Sequence, residues 1–180
     1  MTWLNKYELE KMGLNAIAAI ESKTAAVMDP FKLASDLLYY CYQNGMQIFD
    51  RTNVTSVQNQ KGKCVAHTEN RCTITADHVI HCSGYESTET VQEKIVDLKS
   101  TYALASESVP ELPGILKNAV IWDTSSPYYY YRATSDNRII MGGGDEEFKD
   151  AKKRDKLIPK KEASLIRQFR RRFPDMNFKL

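Results

Sequence analysis

The sequence predicts a mixed α/β or α+β chain built around an aromatic-lined sheet, and three observations carry that reading. An amphipathic helical pattern with both ends marked, beginning at Asp29-Pro30, runs directly into the short apolar segment Met46–Phe49. Short β-prone segments separated by turn residues follow between Val54 and Ser83. A second set lies between Lys99 and Met141 and contains the run Tyr128-Tyr129-Tyr130-Tyr131. With 180 residues, 42% hydrophobic and 27% charged, the chain suits one sizeable domain or one and a half small ones and is too apolar for a disordered segment.

Asp29 is a good N-cap, and Pro30 suits the first helical position because its missing N–H is one that no helical carbonyl needs. Leu33, Leu37, Leu38 and Cys41 then recur at helical spacing, with Phe31 and Ala34 widening the stripe, and Asn44-Gly45 ends the helix. Met46–Phe49 reads as a strand, so helix, tight turn and strand make half of a β-α-β unit. Val54–Val57, Cys64–Thr68 and Cys72–Thr75 read as a small antiparallel meander with turns at Lys61-Gly62-Lys63 and Glu69-Asn70-Arg71. Asp77–Ser83 reads as a further strand ending at Gly84, where the backbone comes close to something.

In the second half, Lys99–Ser108 places Tyr102, Leu104 and Ser106 on one face, and Pro110 and Pro113-Gly114 mark a loop. Ala119–Trp122, Tyr128–Ala133 and Arg138–Met141 read as strands, with Ser135-Asp136-Asn137 as a hairpin turn and Gly142-Gly143-Gly144-Asp145 closing the last of them. Lys161–Arg172 reads as a helix with Leu165, Ile166 and Phe169 on its apolar face, stopped by Pro174.

Charge is unevenly spread. From Lys149 onward twelve Lys/Arg face four Asp/Glu, so the last 32 residues carry +8 and the first 148 carry −6. No aromatic residues interleave with these charges as a single-strand platform requires, so nucleic acid is not an expected partner and a solvated helix face is the plainer reading. No run of eighteen apolar residues predicts a membrane span, and Met1–Lys6 lacks the build of a secretory signal. Four scattered cysteines (41, 64, 72 and 82) do not form a disulfide framework, so a cytoplasmic chain with reduced thiols is expected.

The residues that carry chemistry are few. Cys64, His67, Cys72, His78, His81 and Cys82 crowd together, but Cys64 and His67 point to opposite faces of a strand and no C-x-x-C pair exists, so no metal site is expected. Gly142–Gly144 belongs to neither a Gly-x-x-x-x-Gly-Lys-Ser/Thr loop nor a Gly-x-Gly-x-x-Gly motif, and a turn is its default. On a strand Tyr128, Tyr130 and Arg132 face one way, Tyr129 and Tyr131 the other. Phenols and a guanidinium on one face suit a small ligand with a ring or a carboxylate; a sheet that packs its tyrosines and wets their hydroxyls is the bland alternative. No catalytic constellation presents itself, and the catalytic residues stay unassigned.

Taken together, Tyr7–Leu14, Met28–Leu33, Asn44–Phe49, Thr52–Val54, Ala76–Tyr85, Tyr130–Arg132 and Arg138–Gly143 resemble, in order and spacing, the middle of the FAD-dependent D-amino-acid oxidase superfamily. That group includes glycine oxidase, sarcosine oxidase and gamma-glutamylputrescine oxidase. The resemblance implies an α+β chain with an α/β parent: a mixed, largely antiparallel substrate-domain sheet with flanking helices, plus part of an FAD-binding Rossmann-like domain. It assigns residues 1–28 and 85–180 to the substrate-binding domain and 29–84 to the middle of the FAD-binding domain. Relatives are about twice as long and begin with a Gly-x-Gly-x-x-Gly segment that holds the FAD pyrophosphate. The chain therefore reads as an internal fragment, expected to retain no FAD and to be inactive alone.

The resemblance further implies hydride transfer to flavin from a small amine or amino acid. It places Val54, Ser83 and Gly84 at the cofactor, though relatives often read Ala-Thr-Gly or Ala-Ser-Gly where this chain has Cys82-Ser83-Gly84. Tyr128 and Tyr130 fall on the strand that faces the flavin, Arg132 on a residue able to meet a carboxylate, and Tyr102 on a neighbouring strand. An uncovered apolar surface is expected to drive homo-oligomerisation of the isolated chain. The alternative function is a non-enzymatic small-ligand or protein-interaction domain that uses the aromatic face.

Overall fold

The computed structural model describes residues 1–180 except 90, 92, 95, 113, 148, 149 and 177–180. In chain order these form β1 (Thr2–Asn5), α1 (Lys6–Lys11), β2 (Ala18–Glu21), α2 (Pro30–Gln43), β3 (Val54–Gln60), β4 (Lys63–Thr68), β5 (Thr73–Ala76), a 3₁₀ turn (Gly84–Glu89), β6 (Lys99–Ala105), α3 (Gly114–Asn118), β7 (Ile121–Trp122), β8 (Tyr129–Ala133), β9 (Ile139–Glu147), α4 (Ala151–Lys156) and α5 (Ile158–Arg172). Every ladder among the described residues is antiparallel. The α+β expectation holds. The chain divides into two compact units, one discontinuous (Met1–Val27 with Val96–Leu180) and one continuous (Met28–Ile95). Among the described residues no helix is long and apolar enough to cross a membrane.

The discontinuous unit is built on a four-stranded sheet of order β6-β9-β8-β7. One face is sealed by α5, whose Leu165 and Phe169 recur one turn apart and, with Phe173 just past its end, are all buried. Tyr131 reaches them from the sheet, 6.0 Å from the Phe169 ring and 5.6 Å from that of Phe173. Met141, Ile139, Ile115 and Leu116 belong to the same core with Tyr102, Val109 and Leu112, and Leu9 and Leu14 join it from the N-terminal segment. That segment is a β1–β2 hairpin around α1, whose start is marked by a reciprocal cap: Asn5 Oδ1 accepts the Glu8 N–H, and Glu8 Oε2 accepts the Asn5 N–H.

The continuous unit holds α2, capped by Asp29 as expected, and the meander β3-β4-β5. Two strand expectations are corrected here. Met46–Phe49 and Asp77–Ser83 are irregular. Apolar character alone does not make a strand, which needs a hydrogen-bonded neighbour, and neither segment has one among the described residues. A third correction concerns Gly142–Gly144: β9 does not close there but runs on to Glu147. Pro113, read as part of a loop, lies outside the described residues.

Candidate functional site

The register of the sheet decides which side chains meet. Tyr130 pairs with Gly142 and Trp122, and Gly142 with Ala103; Arg132 pairs with Ile140, and Ile140 with Ala105. Directly paired residues share a face, so Trp122, Tyr130, Arg132 and Ile140 line the face that α5 does not cover. Tyr129 and Tyr131 turn to the α5 face, where Tyr131 is 1% exposed. Tyr130 and Arg132 are half-buried on the open face, and Tyr128, just before β8, is exposed. Among the described residues, no carboxylate pairs with Arg132.

Tyr102 does not join this group. It pairs with Gly143, opposite Tyr129, so it lies on the α5 face, buried, with its hydroxyl donating to the Arg154 carbonyl at 3.2 Å. It lies across the pleat from Tyr130 and Arg132 and instead lines the cleft beside Tyr128. Trp122, which sequence reasoning left aside, stands beside Tyr130; only the register of the two-residue β7 places it there.

The glycines earn their place one by one. A Cβ on Gly142 would sit 2.3 Å from Tyr130 Cζ and Oη, so the phenol rests on the bare backbone of β9. Gly143 (φ 118°) and Gly144 (φ 66°) occupy the left-handed region, and a Cβ on Gly143 would lie 2.1 Å from the Tyr128 carbonyl oxygen. They open a β-bulge: Ser100 pairs with Glu146 and Tyr102 with Gly143, so Thr101 alone opposes Gly144 and Asp145. Lys161 of α5, largely buried, clamps the bulge, with Nζ 2.5 Å from the Gly144 carbonyl and 2.7 Å from Glu146 Oε1. That lysine's hydrogen bond and charge hold the Glu146 carboxyl below its ordinary value.

The loop leading into β8 is fixed by Asp123. Its Oδ1 accepts the Ser125 and Tyr129 N–H groups at 3.1 and 3.0 Å, and its Oδ2 takes Arg172 at 3.1 Å. Burial pushes the Tyr130 phenol above its ordinary value, assisted by Tyr128 and Asp145 and opposed by Arg132, so it stays protonated as a donor at neutral pH. Beside Tyr128 an open cleft of about 840 Å³ runs past Asp145, Ser125 and Ser126 to α4.

Val54 and Gly84 are placed in the continuous unit. Val54 begins β3, half-exposed, and Gly84 opens the 3₁₀ turn at φ 62°, with no described residue beyond its chain neighbours within 4 Å of where a Cβ would be. The Ser83 hydroxyl lies 3.2 Å from that of Ser87. An aliphatic side chain and an open glycine turn can border a flat aromatic group, and neither offers a cationic side chain to a phosphate.

Comparison with curated proteins finds no match. Among solved structures, the chain is similar to the L-proline dehydrogenase of P.horikoshii, with a TM-score of 0.75 and 15% identity over 96% of this chain. It spans 48% of that protein's length, and at this identity the likeness speaks for the fold. The family described as FAD dependent oxidoreductase (DAO) matches residues 1–179, and the chain belongs to that family.

Proposed function

We propose that the chain forms the substrate-binding portion of an FAD-dependent oxidoreductase acting on a small amine or amino acid. In this reading the discontinuous unit carries the substrate face and the continuous unit borders the cofactor. The observation that carries it is the open sheet face, where the half-buried Arg132 has no carboxylate partner among the described residues and Tyr130 lies across Gly142. Bound FAD supplies the hydride acceptor. The chain's own residues position and enclose: Tyr130 and Trp122 offer flat apolar area, Tyr128 and Tyr130 hydroxyl donors, and Arg132 a fork for a carboxylate. The dehydrogenase activity named for the structural neighbour fits this substrate class. We place the protein in the cytoplasm, in keeping with four free cysteines.

The test is the longest reading frame containing these residues, expressed and scanned over roughly 300–550 nm, the flavin window. A flavin spectrum bleached by an amine or amino acid is the expected result. A colourless protein overturns the reading and leaves the aromatic face as a ligand- or protein-binding surface. The 180-residue chain alone is expected to retain no FAD and to oxidise no amine, since its sequence holds no Gly-x-Gly-x-x-Gly loop.

The isolated chain is also expected to associate. α2 buries none of its residues, and Phe31, Leu37, Phe49 and Ile80 are all exposed. Sedimentation across a wide concentration range checks this, and a clean monomer throughout overturns it.

A further inference from the structure

We infer that Asp145 anchors a binding site for an organic ammonium group, in the cleft at the bulged end of the β6-β9-β8-β7 sheet, with Tyr128 packing on the ligand's carbon body. The inference deepens the proposed function and rests on it only in identifying this ammonium with the substrate's amino group.

The bulge is the first observation. Two consecutive left-handed glycines insert an extra residue immediately before Asp145, which re-aims its side chain relative to the regular ladder. Such a device costs stability and is commonly retained where it aims a side chain at a ligand. The second observation is the carboxylate itself. Asp145 is half-buried, its Oδ1 is sealed from solvent, and that oxygen has no hydrogen-bond partner among the described residues. A carboxylate with one oxygen cut off from water and offered no donor among the described residues carries an under-compensated charge, and a ligand ammonium meeting its cleft-side oxygen supplies compensation.

The third observation is how the other charges in the cleft are disposed. Glu146 is taken by Lys161 at 2.7 Å, Lys153 by Asp150 at 3.3 Å and Arg154 by Asp155 at 2.8 Å. The cleft's Lys99, Lys156 and Glu147 are exposed and keep their water. Asp145 is thus the lining carboxylate that is half-dehydrated and without an ion pair among the described residues. Tyr128, exposed on the same cleft, offers a ring whose face attracts a cation and covers apolar carbon. The volume, about 840 Å³, suits a small organic molecule rather than a bare metal ion. Asp145 binds the ammonium form that prevails in neutral solution, ahead of any chemistry.

The test uses the full 180-residue chain, without flavin, and two probes of one shape: benzylammonium chloride and neutral benzyl alcohol, titrated calorimetrically. Benzylammonium is expected to bind roughly 10-fold tighter or more, the size of one charge-assisted hydrogen bond. Asp145→Asn is expected to erase the preference and Asp145→Glu to keep most of it, with near-ultraviolet dichroism confirming the fold of each. Equal binding of the two probes, no binding of benzylammonium, or an unchanged preference in Asp145→Asn overturns the inference. Should Asp145→Asn not fold, the contrast between probes on the unaltered chain decides the matter. Because no flavin is present, this failure is separate from that of the oxidoreductase reading, which shows as a colourless longer protein.

Discussion

Replacing Gly143 by alanine is expected to destabilise the discontinuous unit by roughly 3–5 kcal/mol, since backbone strain and overpacking each cost about 1–3. Both terms act there. The residue sits at φ 118°, and the added methyl would lie 2.1 Å from the Tyr128 carbonyl oxygen and 2.9 Å from Tyr129 Cα. The clashing atoms are backbone, held by the Tyr129–Gly143 pair and the Gly144 N–H bond to that same carbonyl, so neither can step aside cheaply. Gly62 is the control: its φ is 80°, but no described residue beyond its chain neighbours lies within 4 Å of its added methyl. Gly62→Ala should therefore cost about 1 kcal/mol, strain alone. Thermal unfolding of the two variants checks this, with a shift of roughly 2–4 °C expected per kcal/mol for a chain of this size. Equal losses would show that the close approach of β8 to β9 is unimportant.

Removing Asp123 is the second large effect. Its carboxylate serves the Ser125 and Tyr129 N–H groups and Arg172 at once, with its side chain 13% exposed and that of Arg172 25% exposed. Asp123→Ala leaves two backbone donors and a largely buried guanidinium without this partner, at roughly 2–4 kcal/mol. It also frees the loop that positions Tyr128 and Tyr130. Asp123→Asn gives a pH signature. Burial raises the carboxyl's pKa, but the N–H groups and Arg172 more than offset this and hold it below its ordinary value of 3.8. A depressed native value means the stabilisation is fully present above about pH 4 and is lost as pH falls through that lowered value. The stability gap between the unaltered chain and Asp123→Asn, measured by urea unfolding, should therefore be constant near neutrality and close in acid. A gap that persists in acid would exclude the carboxylate's charge as its source. The neighbouring Tyr131 phenol, pushed up to about 12 by burial and by Asp123, contributes no titration in this range.

The elements legible in the sequence were those whose signal is local. Asp29-Pro30 and Asn44-Gly45 bound α2 because a cap, a fixed φ and a glycine exit act within one turn. The β3-β4-β5 meander was legible because its turns punctuate short β-prone runs. The tyrosines of β8 divide between two faces because strand periodicity is strictly two. Met46–Phe49 and Asp77–Ser83 were misread because an apolar run carries no information about whether a partner strand is present. Trp122 stands beside Tyr130, and Tyr102 across the pleat from it, because face depends on register, which no single strand contains.

By itself, then, the sequence determined the α+β class, the family resemblance and the alternation that puts Tyr130 and Arg132 together; all three follow from order and spacing along one chain. The tertiary structure decided that Gly142 makes room for a ring, that Gly143 and Gly144 build a bulge, and that Asp145 stands beside a cleft with its Oδ1 unpartnered among the described residues. Three consecutive glycines look alike in sequence. What distinguishes them is the atom that stands where each missing methyl would be, and those atoms belong to Tyr128, Tyr129, Tyr130 and Lys161, brought there by pairing and packing across the fold.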